Sequence, residues 1–447
     1  MTSRVFAPIA YIVVITTLVS AAYSFYYHDR PRVDAHAYDR IGWNLARGLG
    51  YVEIESNAAH PRADDAIVRV GPGYQFFLAG LYWIFGHTIW IVWIAHALLR
   101  GISVYIVYRT ALLVFSGYFS SARNNRVALL AAMLFGFSPD LIMINGLLLT
   151  ETFFIFLLVT AAYLSLRLIA ARRNVSLLAW GASATWAGAI LTRPVALLPF
   201  VVFLGIVIWR KQVRAAFIIF ALPALLIGMW SYRMTMRYDY FILTTTAGWY
   251  DVWVGNNPQA TGGFEKSPII QEFRDKTYDS TILDRIGRQK YFEFLTQQPL
   301  QFLELQWRKT ALYFSLFRPG GYWIHLFDRT WDLRVSLGSS LIWTFLLFAG
   351  GLGGAYLLLQ NHRDAVSRLI VAFAVLQPLA VIPIIVETRY RYSLFPFLAI
   401  FAAYFFLAAR PRLYLVGASV SVFLIMCSGY DLWYNFADIM SKIGFVL

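Results

Sequence analysis

Acidic residues and cysteine are scarce in this chain. Of its 447 residues only 24 are Asp or Glu, and charged residues of both signs make up 14%, against roughly 25% in a soluble globular protein. That shortage excludes an ordinary soluble domain. Cys427 is the one cysteine, so an intrachain disulfide and a zinc site of paired cysteines are both excluded. The sequence holds no Walker loop and no Gly-x-Ser-x-Gly elbow, which leaves ATP hydrolysis and serine-type hydrolysis without support. Heptads, low-complexity tracts and a clear internal repeat are missing as well.

What is present is apolar. Hydrophobic residues make up 59% of the chain and mean hydropathy is +0.59. Continuous apolar runs of about 18 residues or more recur, the length that crosses roughly 30 Å of hydrocarbon. Lipid offers no partner for backbone N–H and C=O groups, so a crossing element is a helix or part of a closed barrel. The runs are continuous and not alternating, which selects helices. The expected fold class is therefore an all-α, polytopic membrane protein. The net charge of +14 does not indicate nucleic acid. The basic residues stand in short clusters between apolar runs, as the positive-inside rule requires, and some excess suits membrane lipids or phosphate ligands.

Orientation follows from those clusters. Arg123–Arg126, Arg172–Arg173, Arg210–Arg214, His362–Arg368 and Arg410–Arg412 read as cytoplasmic, with Arg4 inside. The run at about 5–27 lacks a small-residue cleavage site and is read as a retained first helix. Further spans fall at about 91–115, 127–145, 152–171, 176–192, 194–209, 215–236, 335–358, 366–386, 392–409 and 412–430, roughly eleven in all. Two long segments then lie outside. In the first, about 28–90, the apolar stretch Tyr74–Phe85 is too short to cross and is expected to be a juxtamembrane helix after Gly71-Pro72-Gly73. In the second, about 237–334, Tyr291, Phe294, Leu295, Phe302, Leu303 and Trp307 recur at helical spacing and are expected to pack on the membrane face. The chain divides into an N-terminal membrane module (1–236) that holds the first exported loop, an exported region (237–334) and C-terminal membrane helices (335–447).

Four places can carry chemistry. Asp34 opens the first exported loop, where a carboxylate can deprotonate an acceptor hydroxyl or amine, or simply cap a helix. Glu151 starts the fourth span. A carboxylate there is a functional candidate, or a helix charge favoured by the macrodipole. Asp140 is in the same short outer loop. Glu387-Thr388-Arg389-Tyr390-Arg391 lies outside with two arginines two residues apart, suited to a phosphate or pyrophosphate or to anionic lipid; Arg69 and Arg193 are outside too. Gly255-Asn256-Asn257-Pro258 reads as a tight turn, though its amides can also bind sugar hydroxyls. His28, His36 and His60, with Glu53, Glu55, Asp64 and Asp65, could supply a divalent metal ion, but without diagnostic spacing.

As an ordered set these pieces resemble the type C membrane glycosyltransferases, in particular the bacterial family akin to protein O-mannosyltransferases and the lipid A aminoarabinose transferase. The matching residues run over nearly the whole chain. They are Asp34 with Asn44-Leu45-Ala46-Arg47-Gly48 and Gly50-Tyr51, then Pro72-Gly73-Tyr74 with Phe77-Leu78-Ala79-Gly80-Leu81-Tyr82, then Leu149-Thr150-Glu151-Thr152 and Leu191-Thr192-Arg193-Pro194. Gly248, Gly255-Asn256-Asn257-Pro258, Thr261-Gly262-Gly263 and Glu387-Thr388-Arg389-Tyr390-Arg391 complete the set. Where the family often has Arg-Pro-Pro-Gly-Tyr-Pro, this chain has Val70-Gly71-Pro72-Gly73-Tyr74-Gln75, with Arg69 displaced by one position.

The resemblance implies inverting transfer of a sugar from a polyprenyl-phosphate donor to a glycan, lipid or protein acceptor. The enzyme would be integral to the inner membrane of a bacterium, with its active site on the periplasmic side. It makes Asp34 the general base, puts Glu151 near the acceptor or a metal, and gives Arg389 and Arg391 the lipid phosphate. Tyr38, Arg69, Tyr74, Arg193, Asn256, Asn257 and Tyr390 complete the substrate-binding candidates. Two other readings compete. A transporter or lipid flippase would show repeats and broken helices near the bilayer midplane. A polymerase or ligase using lipid-pyrophosphate glycans would share the location and the arginines.

Overall fold

The structure is a computed structural model that describes residues 3–32, 34–53, 71–171, 176–246, 248–263, 267–275, 280–317, 326, 329–407 and 413–436. Among the described residues the secondary structure is helical throughout, without strands. The membrane body begins with α1 (Ser3–Tyr27), which packs on α4 (Ile89–Val114); α4 in turn contacts α5 (Ser121–Gly136) and α7 (Glu151–Ala170). The series α7, α8 (Ser176–Thr192) and α10 (Val213–Tyr238) pack in succession, with α9 (Leu197–Trp209) against α10.

Among the described residues seven helices are long and apolar enough to cross a membrane. A bent pair, α5 and α6 (Pro139–Asn145), would make an eighth. The apolar helices Pro194–Trp209, Ala365–Val381 and α8, of 17 residues, are shorter. Each of the eleven expected spans coincides with a helix or a helix pair. The chain is an all-α polytopic membrane protein.

One expected span is corrected in form. The run at 127–145 is not straight: α5 and α6 meet at 52°. Pro139 has no N–H to continue the helix and disfavours helical backbone at Ser138. The break exposes carbonyls that lipid cannot satisfy. Arg100, buried on α4, donates to the Gly136 carbonyl at 2.6 Å and so closes the end of α5.

The C-terminal helices are α15 (Thr330–Asn361), α16 (Ala365–Val381), α17 (Phe395–Leu407) and α18 (Leu413–Tyr434). The pair α15 and α17 approaches closely because Gly354 faces Phe401. A Cβ at Gly354 would stand 2.0 Å from the Phe401 carbonyl oxygen. Small residues at such a crossing let two backbones pack where lipid gives no hydrophobic drive.

Two short helices flank the body in the segment between α1 and α4. They are α2 (Asp34–Ala46) and α3 (Gly73–Phe85), which pack on each other, with α3 also touching α8 and α4. With 13 residues, α3 is too short to cross. The segment between α10 and α15 holds α11 (Gly248–Val254), α12 (Pro268–Asp275), α13 (Ser280–Gln297) and α14 (Pro299–Phe314). It has its own core of Trp253, Val254, Ile270, Phe294 and Leu305, closed by Ile385. The apolar spacing expected there is therefore used in part internally. Phe294 is buried in that core, while Leu303 and Trp307 are exposed.

Candidate functional site

Helix starts and one short turn bring the chemical groups together. Asp34 is the first residue of α2, and Glu151 the first of α7, positions that favour a carboxylate beside the partial positive charge of the helix N-terminus. Arg193 stands in extended backbone between α8 and the single turn Pro194–Ala196. Pro194 fixes that corner because it cannot extend α8. Glu387 precedes a 3-10 turn, Thr388–Leu394, that carries Arg389, Tyr390 and Arg391 into α17.

Arg389 is the hub. Its Nη2 donates to Asp34 Oδ2 at 3.1 Å and its Nε to Glu387 Oε2 at 2.8 Å, with Glu151 Oε1 at 3.7 Å. Glu151 Oε1 also accepts from Arg193 Nη1 at 3.2 Å. The Tyr390 ring lies beside both guanidiniums, with Arg193 at 4.8 Å and Arg389 at 5.6 Å from its centroid. Asp34, Glu151 and Glu387 thus face two arginines, a formal balance of −1 from three carboxylates and two guanidiniums. Glu151 is 1% exposed, and its Oε2 has no hydrogen-bond partner. A buried carboxylate oxygen without a donor is costly, which makes Oε2 the natural receiver of an incoming hydroxyl, amine or cation.

Tyr38 and Tyr74 wall the cluster from α2 and α3. Both are buried, and their rings meet edge to face at 5.9 Å. Burial, reinforced by the Asp34 carboxylate, pushes the Tyr38 hydroxyl well above the ordinary tyrosine range, so it stays protonated. Tyr74 leads into a polar thread: its hydroxyl meets His96 Nε2 at 3.1 Å and His96 Nδ1 meets the Asn145 carbonyl at 3.1 Å. Asn145 Nδ2 then donates to Ser24 Oγ, and Ser24 Oγ to the Ser20 carbonyl.

The two arginines of the 387–391 motif diverge. Arg389 enters the acid cluster, whereas Arg391 is buried against Phe348 and donates to the Ser315 carbonyl. Asn256 and Asn257 are buried too, and their amides are committed locally. Asn256 Nδ2 donates to the Val252, Pro383 and Ile384 carbonyls. Asn257 holds the Trp253 and Val254 carbonyls and accepts from Gln259 N and Ser267 Oγ. These amides build the turn. Asp140 is bonded to Ser340 and Thr344 on α15. Arg69, Glu55, His60, Asp64 and Asp65 lie outside the described residues.

Among the described residues no group of three His, Cys, Asp or Glu is placed to hold a metal ion. The three carboxylates converge on the Arg389 guanidinium.

Sequence reasoning passed over Lys309, which is fully buried on α14 with its ammonium on Asn256 Oδ1 at 2.7 Å. The available signal was its spacing, four residues after Leu305 and three before Leu312, on the apolar stripe. It also passed over Asp39, which accepts from the Tyr82 hydroxyl and pairs with His87 Nε2 at 3.0 Å.

No protein-family model matches the chain, and no curated protein matches it significantly by sequence. Solved structures do match its fold. The oligosaccharyltransferase of Archaeoglobus fulgidus, in complex with zinc and sulfate, aligns at 14% identity with a TM-score of 0.52, over 97% of this chain and 53% of that one. The same protein tethered to an acceptor peptide containing the NVT sequon gives 14% and 0.53, over 98% and 55%. ArnT from Cupriavidus metallidurans, bound to undecaprenyl phosphate, aligns at 12% and 0.47, over 97% and 74%. The chain spans about half the length of the archaeal proteins it matches. The fold is shared with the solved archaeal oligosaccharyltransferase, as expected from the sequence resemblance.

Proposed function

We propose that this chain, folded as a type C membrane glycosyltransferase, transfers a monosaccharide from a polyprenyl-phosphate donor to an acceptor hydroxyl or amine. The observation that carries the reading is the convergence of Asp34, Glu151 and Glu387 on Arg389. It joins a base candidate to a phosphate-binding candidate at the end of the membrane body. The expected side is the periplasm, in a bacterial inner membrane. Groups at helix ends favour transfer over transport, whose sites sit near the bilayer midplane.

The chemistry follows from the charges. The acceptor oxygen or nitrogen attacks the anomeric carbon while the bond from that carbon to the phosphate oxygen breaks. The phosphate leaves with the electron pair, the configuration inverts, and the acceptor's proton passes to Asp34. Arg389 meets the charge that develops on the leaving phosphate. Glu151, held by Arg193, offers its free oxygen to an acceptor or sugar hydroxyl.

The resting contact adds an order to the steps. Arg389 now pairs with Asp34 and occupies its Oδ2. A donor phosphate that takes Arg389 releases Asp34 to act as base, so acceptor activation follows donor binding. The archaeal oligosaccharyltransferase has been solved with an acceptor peptide, which supports a peptide among the acceptor classes to be tried.

The deciding experiment incubates purified full-length protein with a panel of polyprenyl-phosphate sugars and candidate acceptors, scored by mass spectrometry. Sugar transfer or donor hydrolysis that needs Asp34 is the expected result. Solute movement across liposomes without any sugar donor would replace this reading with transport.

A further inference from the structure

The segment from Pro383 to Arg391 hangs between two attachments to one helix, α14. At its near end the Lys309 ammonium donates to the Pro383 carbonyl at 3.0 Å and the Ile384 carbonyl at 3.1 Å, as well as to Asn256 Oδ1. Asn256 Nδ2 reaches the same two carbonyls at 3.0 Å each, and Gln306 Nε2 donates to Asn256 Oδ1 at 2.8 Å. At its far end Arg391 donates to the carbonyl of Ser315, the residue that ends α14. Glu387 and Arg389 lie between these anchors.

An ammonium has three N–H donors and no acceptor. Here each donor has a fixed oxygen, and among the described residues no carboxylate pairs with it. Removing such a charge from water without an ion pair is costly. An apolar side chain could fill the same volume, but it could not hold two carbonyls in place. The contact also depends on Gly255, where a Cβ would stand 2.1 Å from the Ile384 carbonyl oxygen. The segment is thus pulled from α14 and allowed close only by the glycine after α11.

We infer that Lys309 is a positioning residue for Arg389. By holding the Pro383 and Ile384 carbonyls it fixes where the Glu387–Arg389 segment crosses the acid cluster, and so sets affinity for the donor's phosphate without contacting it. This rests on reading Arg389 as the phosphate-binding group.

The test measures binding of undecaprenyl phosphate to the purified full chain, for wild type, Lys309→Met, Gly255→Ala, Arg389→Ala and the Lys309→Met/Arg389→Ala double variant. Lys309→Met and Gly255→Ala, which displace the same segment from opposite sides, are each expected to weaken binding by about tenfold or more. The double variant is expected to bind no more weakly than Arg389→Ala alone, because the two act through one group. A loss from mere unfolding would add to that of Arg389→Ala. A folded Lys309→Met protein that binds like wild type, or a fully additive double variant, overturns the inference and leaves the phosphate reading standing. A wild-type chain that binds no lipid phosphate overturns both. Should Lys309→Met fail to fold, Gly255→Ala decides by the same criterion: weakened binding supports the inference and wild-type binding overturns it.

Discussion

Asp34 and Arg389 stand 355 residues apart in the chain and 3.1 Å apart in the fold. A base candidate and a phosphate candidate are therefore each other's resting partner, which separates the behaviour of their variants.

Asp34→Asn is expected to lower transfer by about 10²–10⁴-fold, the usual weight of a general base. Binding of a polyprenyl phosphate should be kept or tightened, because Arg389 loses a competing anion. Parallel turnover and binding assays check this. Full activity in the variant would remove Asp34 from the mechanism.

Arg193→Met strands Glu151 as a buried carboxylate with only the longer Arg389 contact at 3.7 Å. Breaking a buried pair in this way costs about 3 kcal/mol or more. Adding Glu151→Gln should restore part of the loss, since the stranded charge is then gone. Thermal unfolding of the single and double variants in one detergent reads the difference.

Lys309 makes a stability prediction with a definite sign. Burial pushes its ammonium down to about 7 from the ordinary 10.5. Between those values the unfolded chain binds a proton that the folded chain has released, so this residue's contribution to stability rises with pH. It is lost as pH falls through 7. Lys309→Met should flatten the unfolding profile between pH 7 and 10, and an unchanged slope would refute the assignment.

Gly354→Ala places a methyl 2.0 Å from where the Phe401 carbonyl oxygen now sits. Parting α15 from α17 is expected to cost about 1–3 kcal/mol. The melting temperature of the purified protein should fall, while Gly338→Ala on the same helix, where a Cβ meets open space, should leave it in place.

The membrane body was legible because run length and charge clusters are local properties, and each expected span found its helix. The break before Pro139 was written in the sequence but masked by the apolar residues on either side. Candidate acids at helix starts could be named from position alone. Their partners could not. No local pattern says that Arg389 turns to Asp34 while Arg391, two residues on, turns to Ser315; the 3-10 turn that splits them is a tertiary outcome. Lys309 was missed for a related reason. On a helix outside the membrane a lysine reads as solvated, and only the neighbouring segment turns its position inward.

The polar thread from Tyr74 has a direction. A carbonyl can only accept, so the Asn145 oxygen requires His96 to carry its proton on Nδ1. Nε2 then carries no proton and accepts the hydrogen bond from the Tyr74 hydroxyl. Every donor along the thread points away from the acid cluster, toward α1. Tyr74 therefore offers a substrate only its oxygen lone pairs: it can receive a sugar or acceptor hydroxyl, and it has no proton to give a phosphate.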